Sequence, residues 1–216
     1  MKNRCAILFD LGKVLFDFDH MIAVDRISDY SILDKEKIYN LFFDSNLTDL
    51  YERGKISSLE FFAKVKILLK MNIEENKFFQ IWNEIFFPKL EMLEILGLLR
   101  QHYPLYLISN INEAHFNYLY ENFSTYFDFF KHLFLSYKLG LRKPDLLFYQ
   151  LVIDDIKLSP SDIIYTDDRP ELVEAAKKLK IDAFVFESPE KFLNQLRKRK
   201  IRINLVTDQK GSYHFF

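Results

Sequence analysis

At 216 residues, with 30 Lys and Arg against 31 Asp and Glu and a formal net charge of -1, the chain can bury a sizeable core. It lacks the charge excess that draws a protein to nucleic acid or to an anionic membrane. The single cysteine, Cys5, excludes an internal disulfide framework, and no apolar run approaches the ~20 residues of a membrane span.

The first element is the apolar run Cys5-Ala6-Ile7-Leu8-Phe9, closed by Asp10. β-prone residues without polar alternation predict a strand buried on both faces, as at the centre of a parallel sheet. Asp10 then stands at the carboxyl end, where open α/β sheets bind ligands, and Gly12 allows a sharp turn or close ligand approach. Read alone, Asp10 is equally an acid that ends a strand and caps a turn.

From Asp17 to Pro88 the patterns are helical. Asp34 precedes apolar residues at helical spacing through Phe42, and Ser57 with Glu60 forms a capping-box signature ahead of Val65, Leu68 and Leu69. Phe78, Phe79, Ile81, Trp82, Ile85 and Phe86 make a further apolar face that Pro88 stops. The segment predicts a helical block without strands of its own.

A βα rhythm returns from Leu90. Helices are predicted over 91–101, 113–122, 146–153 and 171–179, and strands at Leu105–Ile108, Leu133–Leu135, Ile163–Thr166 and Ala183–Phe186. The alternation predicts an α/β fold, a doubly wound, Rossmann-like parallel sheet with an inserted helical cap. Residues 1–16 and 89–216 form the core and 17–88 the cap; Ile203 to Phe216 read as a short strand and a tail.

The strand ends carry the chemistry. They present Asp10, Ser109 with Asn110, and Asp167 with Asp168, and a loop adds Lys143. In a parallel sheet these ends share one edge, so carboxylates, a hydroxyl and an ammonium converge. Close carboxylates suit a hard cation such as Mg²⁺, and lysine with hydroxyl and backbone N–H donors suits phosphate.

Phe9-Asp10-Leu11-Gly12-Lys13-Val14-Leu15, Leu107-Ile108-Ser109-Asn110, Arg142-Lys143-Pro144-Asp145 and Tyr165-Thr166-Asp167-Asp168-Arg169-Pro170 resemble, in order and spacing, the four motifs of the haloacid dehalogenase-like hydrolase superfamily. Tyr51-Glu52-Arg53-Gly54-Lys55-Ile56-Ser57 and Gly140-Leu141-Arg142-Lys143-Pro144 are most similar to the branch containing bacterial α-D-glucose-1-phosphate phosphatase. The resemblance implies a Mg²⁺-dependent phosphatase of a small phosphorylated metabolite, a sugar phosphate, acting through an aspartyl phosphate on Asp10. Asp10, the Gly12 carbonyl, Asp167 and Asp168 would hold the metal, with Asp168 the more direct ligand. Ser109, Asn110 and Lys143 would bind the phosphoryl group, Lys143 also serving catalysis, and the cap would select the leaving group. With no secretory signal pattern, the expectation is a cytoplasmic monomer or homodimer that engages neither nucleic acid nor membrane.

One departure stands out. Phosphatases of that superfamily mostly carry an acid two residues after the nucleophile, where this chain has Gly12. General acid–base help is worth about 10²–10⁴-fold, so the change favours leaving groups that need little protonation, or a donor from Asp17, Asp19 or the cap. Lys13 is either a positive charge at the mouth of the site or a solvated turn residue. His20, His102, His115, His132 and His214 show no metal-ligand spacing and read as surface or helix residues. Arg197 to Lys200 with Arg202 reads as the solvated face of a terminal helix, and Asp17 and Asp19 as capping acids. Phe61, Phe62, Phe78, Phe79 and Trp82 read mainly as core, with one or two left for a pocket. Two other readings remain: a 2-haloacid dehalogenase, which would not need paired acids as ligands, and a non-catalytic protein that binds phosphate ligands.

Overall fold

The computed structural model describes residues 5–43 and 45–203. The chain runs β1 (Ala6–Phe9), β2 (Phe16–Phe18), α1 (His20–Ser28), α2 (Lys35–Phe43), α3 (Asn46–Glu52), α4 (Ser58–Leu68), α5 (Glu75–Asn83) and β3 (Phe86–Pro88). It continues α6 (Leu90–Leu99), β4 (Leu105–Ser109), α7 (Glu113–Phe127), β5 (His132–Leu135), α8 (Ser136–Leu139), α9 (Leu146–Ile156), β6 (Ile163–Asp167), α10 (Pro170–Lys178), β7 (Asp182–Val185) and α11 (Pro189–Lys198). The expected tail beyond Ile203, with His214, lies outside the described residues.

Five parallel strands form one sheet in the order β5-β4-β1-β6-β7. β1 lies at the centre with every residue buried, as its unbroken apolar run requires. Its side chains alternate: Ile7 and Phe9 pack with Leu96, Phe116 and Phe192 from α6, α7 and α11, while Ala6 and Leu8 pack with Phe148, Tyr149 and Val173 from α9 and α10. The sheet is thus covered on both faces, a doubly wound α/β architecture. Because the chain order reverses on either side of β1, a crevice opens beyond its carboxyl end. Asp10 follows directly.

Helices α1 to α5 share a separate apolar cluster that includes Val24, Ile38, Phe61, Phe78 and Trp82. Ser57 and Glu60 form the reciprocal capping box at the start of α4, and Asp34 accepts from Lys37 N at 2.9 Å at the start of α2. Leu68 departs from the expected face: it is exposed, whereas Val65 and Leu69 are buried. The predicted absence of strands also needs correction. The backbone leaves helical geometry at Glu84 (φ -79°, ψ 48°), and Phe86–Pro88 pairs antiparallel with Phe16–Phe18. Helical periodicity and a Phe-rich edge strand share the same residue types here, so the apolar run through Phe86 masks the change.

Candidate active site

Asp10 is fixed at the end of β1 by its own N–H, which donates to Thr166 O on β6 at 3.0 Å. Lys143, in the loop before α9, has a fully buried ammonium. Its Nζ donates to Asp10 Oδ1 at 2.6 Å, to Asp167 Oδ2 at 2.7 Å and to Tyr165 OH at 3.2 Å. Asn110, just past β4, holds that loop: its amide nitrogen donates to Lys143 O at 2.9 Å and its carbonyl accepts Lys143 N at 2.8 Å. Ser109 is buried beside it on the same wall as Asp10, with its hydroxyl free of hydrogen bonds among the described residues.

Asp10, Asp167 and Asp168 each present a carboxylate oxygen within 4.8 Å of the others. Burial, partly offset by Lys143 and reinforced by Asp167, leaves Asp10 well above the ordinary carboxylate range. Burial, with the adjacent Asp167 charge, raises Asp168 as well. Asp167 goes the other way. Burial alone would raise it, but the Lys143 ammonium, the Tyr165 hydroxyl and the Arg169 N–H at 3.0 Å outweigh that and hold it ionised. Asp168 has no ion-pair partner among the described residues. The cluster therefore carries more carboxylate than its one ammonium balances, and its ligand atoms are hard oxygens, the donor set that suits a divalent cation.

These groups open into a chamber of about 270 Å³, walled on the far side by Phe18, His20, Phe43, Thr48, Glu52, Trp82, Phe86 and His115. His20, Phe43, Trp82 and His115 form a ring stack across it, with successive centroids 3.7, 5.7 and 4.9 Å apart. His115 is held on both nitrogens, by Asn112 Nδ2 at 3.0 Å and Trp82 O at 3.0 Å. The backbone oxygen can only accept, so the ring carries its proton on Nε2, and burial pushes its pKa down to about 3.

Gly12 lines the same chamber, and the reason for glycine is steric. A Cβ there would sit 2.9 Å from Cε1 of Phe18, whose ring fills the space a side chain at position 12 would use. Lys13 adopts a left-handed turn (φ 57°) and donates to Phe18 O at 2.6 Å; it does not itself line the chamber, but its ammonium lies 4.6 Å from the centroid of the Phe18 ring that does. Asp17 pairs with Lys89 at 2.7 Å, and Asp19 caps α1 by accepting Met21 N at 2.8 Å. Neither lines the chamber.

The segment ending α3 is seated on the core through ions. Arg142 lies 3.1 Å from Asp49 and 2.6 Å from Glu52, and Arg53 reaches Asp145 at 2.7 Å. Gly54 (φ 61°) packs directly on the carbonyl of Tyr137.

The motif residues named from sequence thus meet at one sheet edge. His20 and His115 stand in helices, as expected, and outside the carboxylate cluster; what the sequence did not show is that both face the chamber, His20 as the first residue of α1 and His115 in the first turn of α7. Trp82 is the pocket-lining aromatic among those expected to be core. Sequence reasoning missed Tyr165, Phe18, Phe43, Thr48, Glu52 and Arg169. Glu52, Tyr165 and Arg169 stood inside the motif segments already quoted, Tyr165 as a hydroxyl two residues before Asp167; Phe18, Phe43 and Thr48 carried no signal.

Residues 6–180 match the profile of the haloacid dehalogenase-like hydrolases. The chain belongs to the haloacid dehalogenase-like hydrolase family. A D-ribitol-5-phosphate phosphatase of Bacteroides thetaiotaomicron is 30% identical over 189 residues, 82% of this chain and 89% of that protein. A sesquiterpene phosphatase of Aspergillus oryzae is 30% identical over 174 residues, 80% and 84% of the two chains. Among solved structures, a haloacid dehalogenase family enzyme of B. thetaiotaomicron in complex with magnesium superposes with a TM-score of 0.81 at 23% identity, covering 91% of this chain and all of that one. This haloacid dehalogenase-like hydrolase therefore has phosphatases among its named relatives. No helix among its described residues is long and apolar enough to cross a membrane.

Proposed function

We propose that the protein is a Mg²⁺-dependent phosphatase of a small phosphorylated metabolite, a sugar or polyol phosphate, working through a covalent phosphoaspartate on Asp10. The observation that carries this reading is the buried Lys143 ammonium bridging Asp10 and Asp167 inside the three-carboxylate cluster. Lys143 keeps the Asp10 carboxylate oriented and offers positive charge to a phosphoryl oxygen. An Asp10 oxygen attacks phosphorus, the bond from phosphorus to the leaving oxygen breaks, and water then cleaves the acyl phosphate to free phosphate. Ser109 donates its free hydroxyl to the transferring group, and Asn110 holds Lys143 in place. Asp10, Asp168 and the Gly12 carbonyl would hold the cation, with Asp167 committed to Lys143 and Tyr165. When bound, Mg²⁺ offsets charge on the phosphoryl group. Residues 17–88 act as the cap over a core of 1–16 and 89–216.

For the substrate class, the chamber combines aromatic rings with Thr48, Glu52, Asn112, Arg142 and Arg169, a lining that suits a short polyhydroxylated group. A relative named for D-ribitol 5-phosphate supports it. The test is hydrolysis of a panel with D-ribitol 5-phosphate, α-glucose 1-phosphate and acetyl phosphate, with Mg²⁺ and with chelator, beside Asp10→Asn. Metal-dependent turnover that Asp10→Asn abolishes is the expected result. Turnover unchanged by chelator, or surviving Asp10→Asn, overturns the reading.

A further inference from the structure

Cleaving an alkyl phosphate leaves an alkoxide that needs a proton, and the water that attacks the phosphoaspartate must lose one. The chamber wall offers few groups for this. Asp10 is the nucleophile, Asp168 belongs to the carboxylate cluster and Lys143 is locked between two carboxylates. His115 has both nitrogens engaged, and Glu52 is held 2.6 Å from Arg142. His20 remains. Outside the carboxylate cluster it is the titratable side chain on the wall that has neither a hydrogen bond nor an ion pair among the described residues, while its ring is fixed by stacking on Phe43 at 3.7 Å and 7° and by Phe18 at 4.8 Å.

Resting on the phosphatase reading, we infer that His20 is a catalytic residue of this site, the group that gives the leaving oxygen its proton and takes one from the attacking water. The position follows from Gly12. The Phe18 ring occupies the space beside Gly12, and His20 lies against that ring, so a leaving group extending past Gly12 runs along Phe18 and meets the imidazole. In the first step the imidazolium proton goes to the oxygen as its bond to phosphorus breaks. In the second, neutral His20 accepts the water proton as the new bond to phosphorus forms and the Asp10 oxygen leaves. Burial first, and then the Lys13 charge, bring His20 down to about 4, while Asp19 favours the charged ring. A bound phosphate dianion pulls toward the charged form.

The experiment compares kcat/KM for D-ribitol 5-phosphate, whose alkoxide needs protonation, with p-nitrophenyl phosphate, whose leaving group does not. His20→Gln and His20→Phe, the latter keeping an aromatic ring in the stack, are each expected to lower the alkyl value by about 10² or more while the aryl value stays within its order of magnitude. Equal losses on both substrates reduce His20 to a packing residue and overturn the inference, as does an unchanged alkyl rate. So does an alkyl-selective loss that follows Glu52→Gln instead. Failure of the unaltered protein on both substrates removes the phosphatase reading itself, and the role of His20 with it.

Discussion

His115 sits deep under the ring stack as a neutral imidazole, and that choice of state has a cost in acid. Its pKa falls from 6.5 in an unfolded chain to about 3 here, chiefly through burial. Between those values the unfolded state binds the extra proton, so this residue's contribution to stability is complete above about pH 6.5 and is lost as pH falls, with a limiting slope of about 1.4 kcal/mol per pH unit. Asp10, raised rather than lowered, works in the opposite direction, so the two must be separated by difference. Urea unfolding of the protein and of His115→Gln at pH 5 and pH 7 is expected to show the larger loss on acidification in the unaltered chain. A parallel loss in both would remove His115 as the cause. At this scale the sequence was uneven in what it showed. Asp10, Ser109 and Asp167 were legible because each ends or follows a short apolar run, and Lys143 through the Gly140-Leu141-Arg142-Lys143-Pro144 loop, whereas Tyr165 hides inside an apolar run. Its hydroxyl, donating to Asp167, becomes visible only when β6 lies beside the Lys143 loop.

At the scale of elements, the turn from β1 into β2 shows how one ring can govern a neighbouring position. Gly12 was legible as a missing acid, but the cause was not, since Phe18 lies six residues on and folds back across the turn. Gly12→Asp is accordingly expected to lower turnover, because the carboxylate and the Phe18 ring compete for one space and overpacking costs about 1–3 kcal/mol. Gly12→Asp with Phe18→Ala frees the space and is expected to recover activity relative to Gly12→Asp alone, measured as kcat/KM on the alkyl phosphate. If Gly12→Asp alone proves as active as the unaltered protein, the ring does not exclude a side chain there. The β2–β3 pair went unread for a related reason: Ile85-Phe86-Phe87 continues the apolar character of α5, and only the partner strand at Phe16–Phe18 makes it extended.

For the molecule as a whole, the sheet and its two helical layers were legible, since the alternation of apolar runs and helical patterns spans most of the chain. The chamber wall was not, because its members come from β2, β3, α1, α2, α3, α5 and α7, and no sequence spacing links them. The seat between α3 and the core depends on backbone contact as much as on charge. Gly54→Ala forces a left-handed residue, costing about 1–2 kcal/mol, and also drives a methyl group into the Tyr137 carbonyl. It is expected to lower the melting temperature and to raise KM more than it lowers kcat. A variant with unchanged melting temperature and KM would show that this seat is dispensable.

The strand pair Phe16–Phe18 and Phe86–Pro88 has a consequence for how such a chain can diversify. Phe18 stands opposite Phe86, and Asp19 N donates to Ile85 O at 3.1 Å, so the intervening segment leaves and rejoins the core at one point. The entropy of closing a loop grows only slowly with its length. To the parallel sheet, therefore, added length at this junction brings little further burden, and the helical segment can change in size or sequence while the strand ends that carry Asp10, Ser109 and Asp167 keep their register.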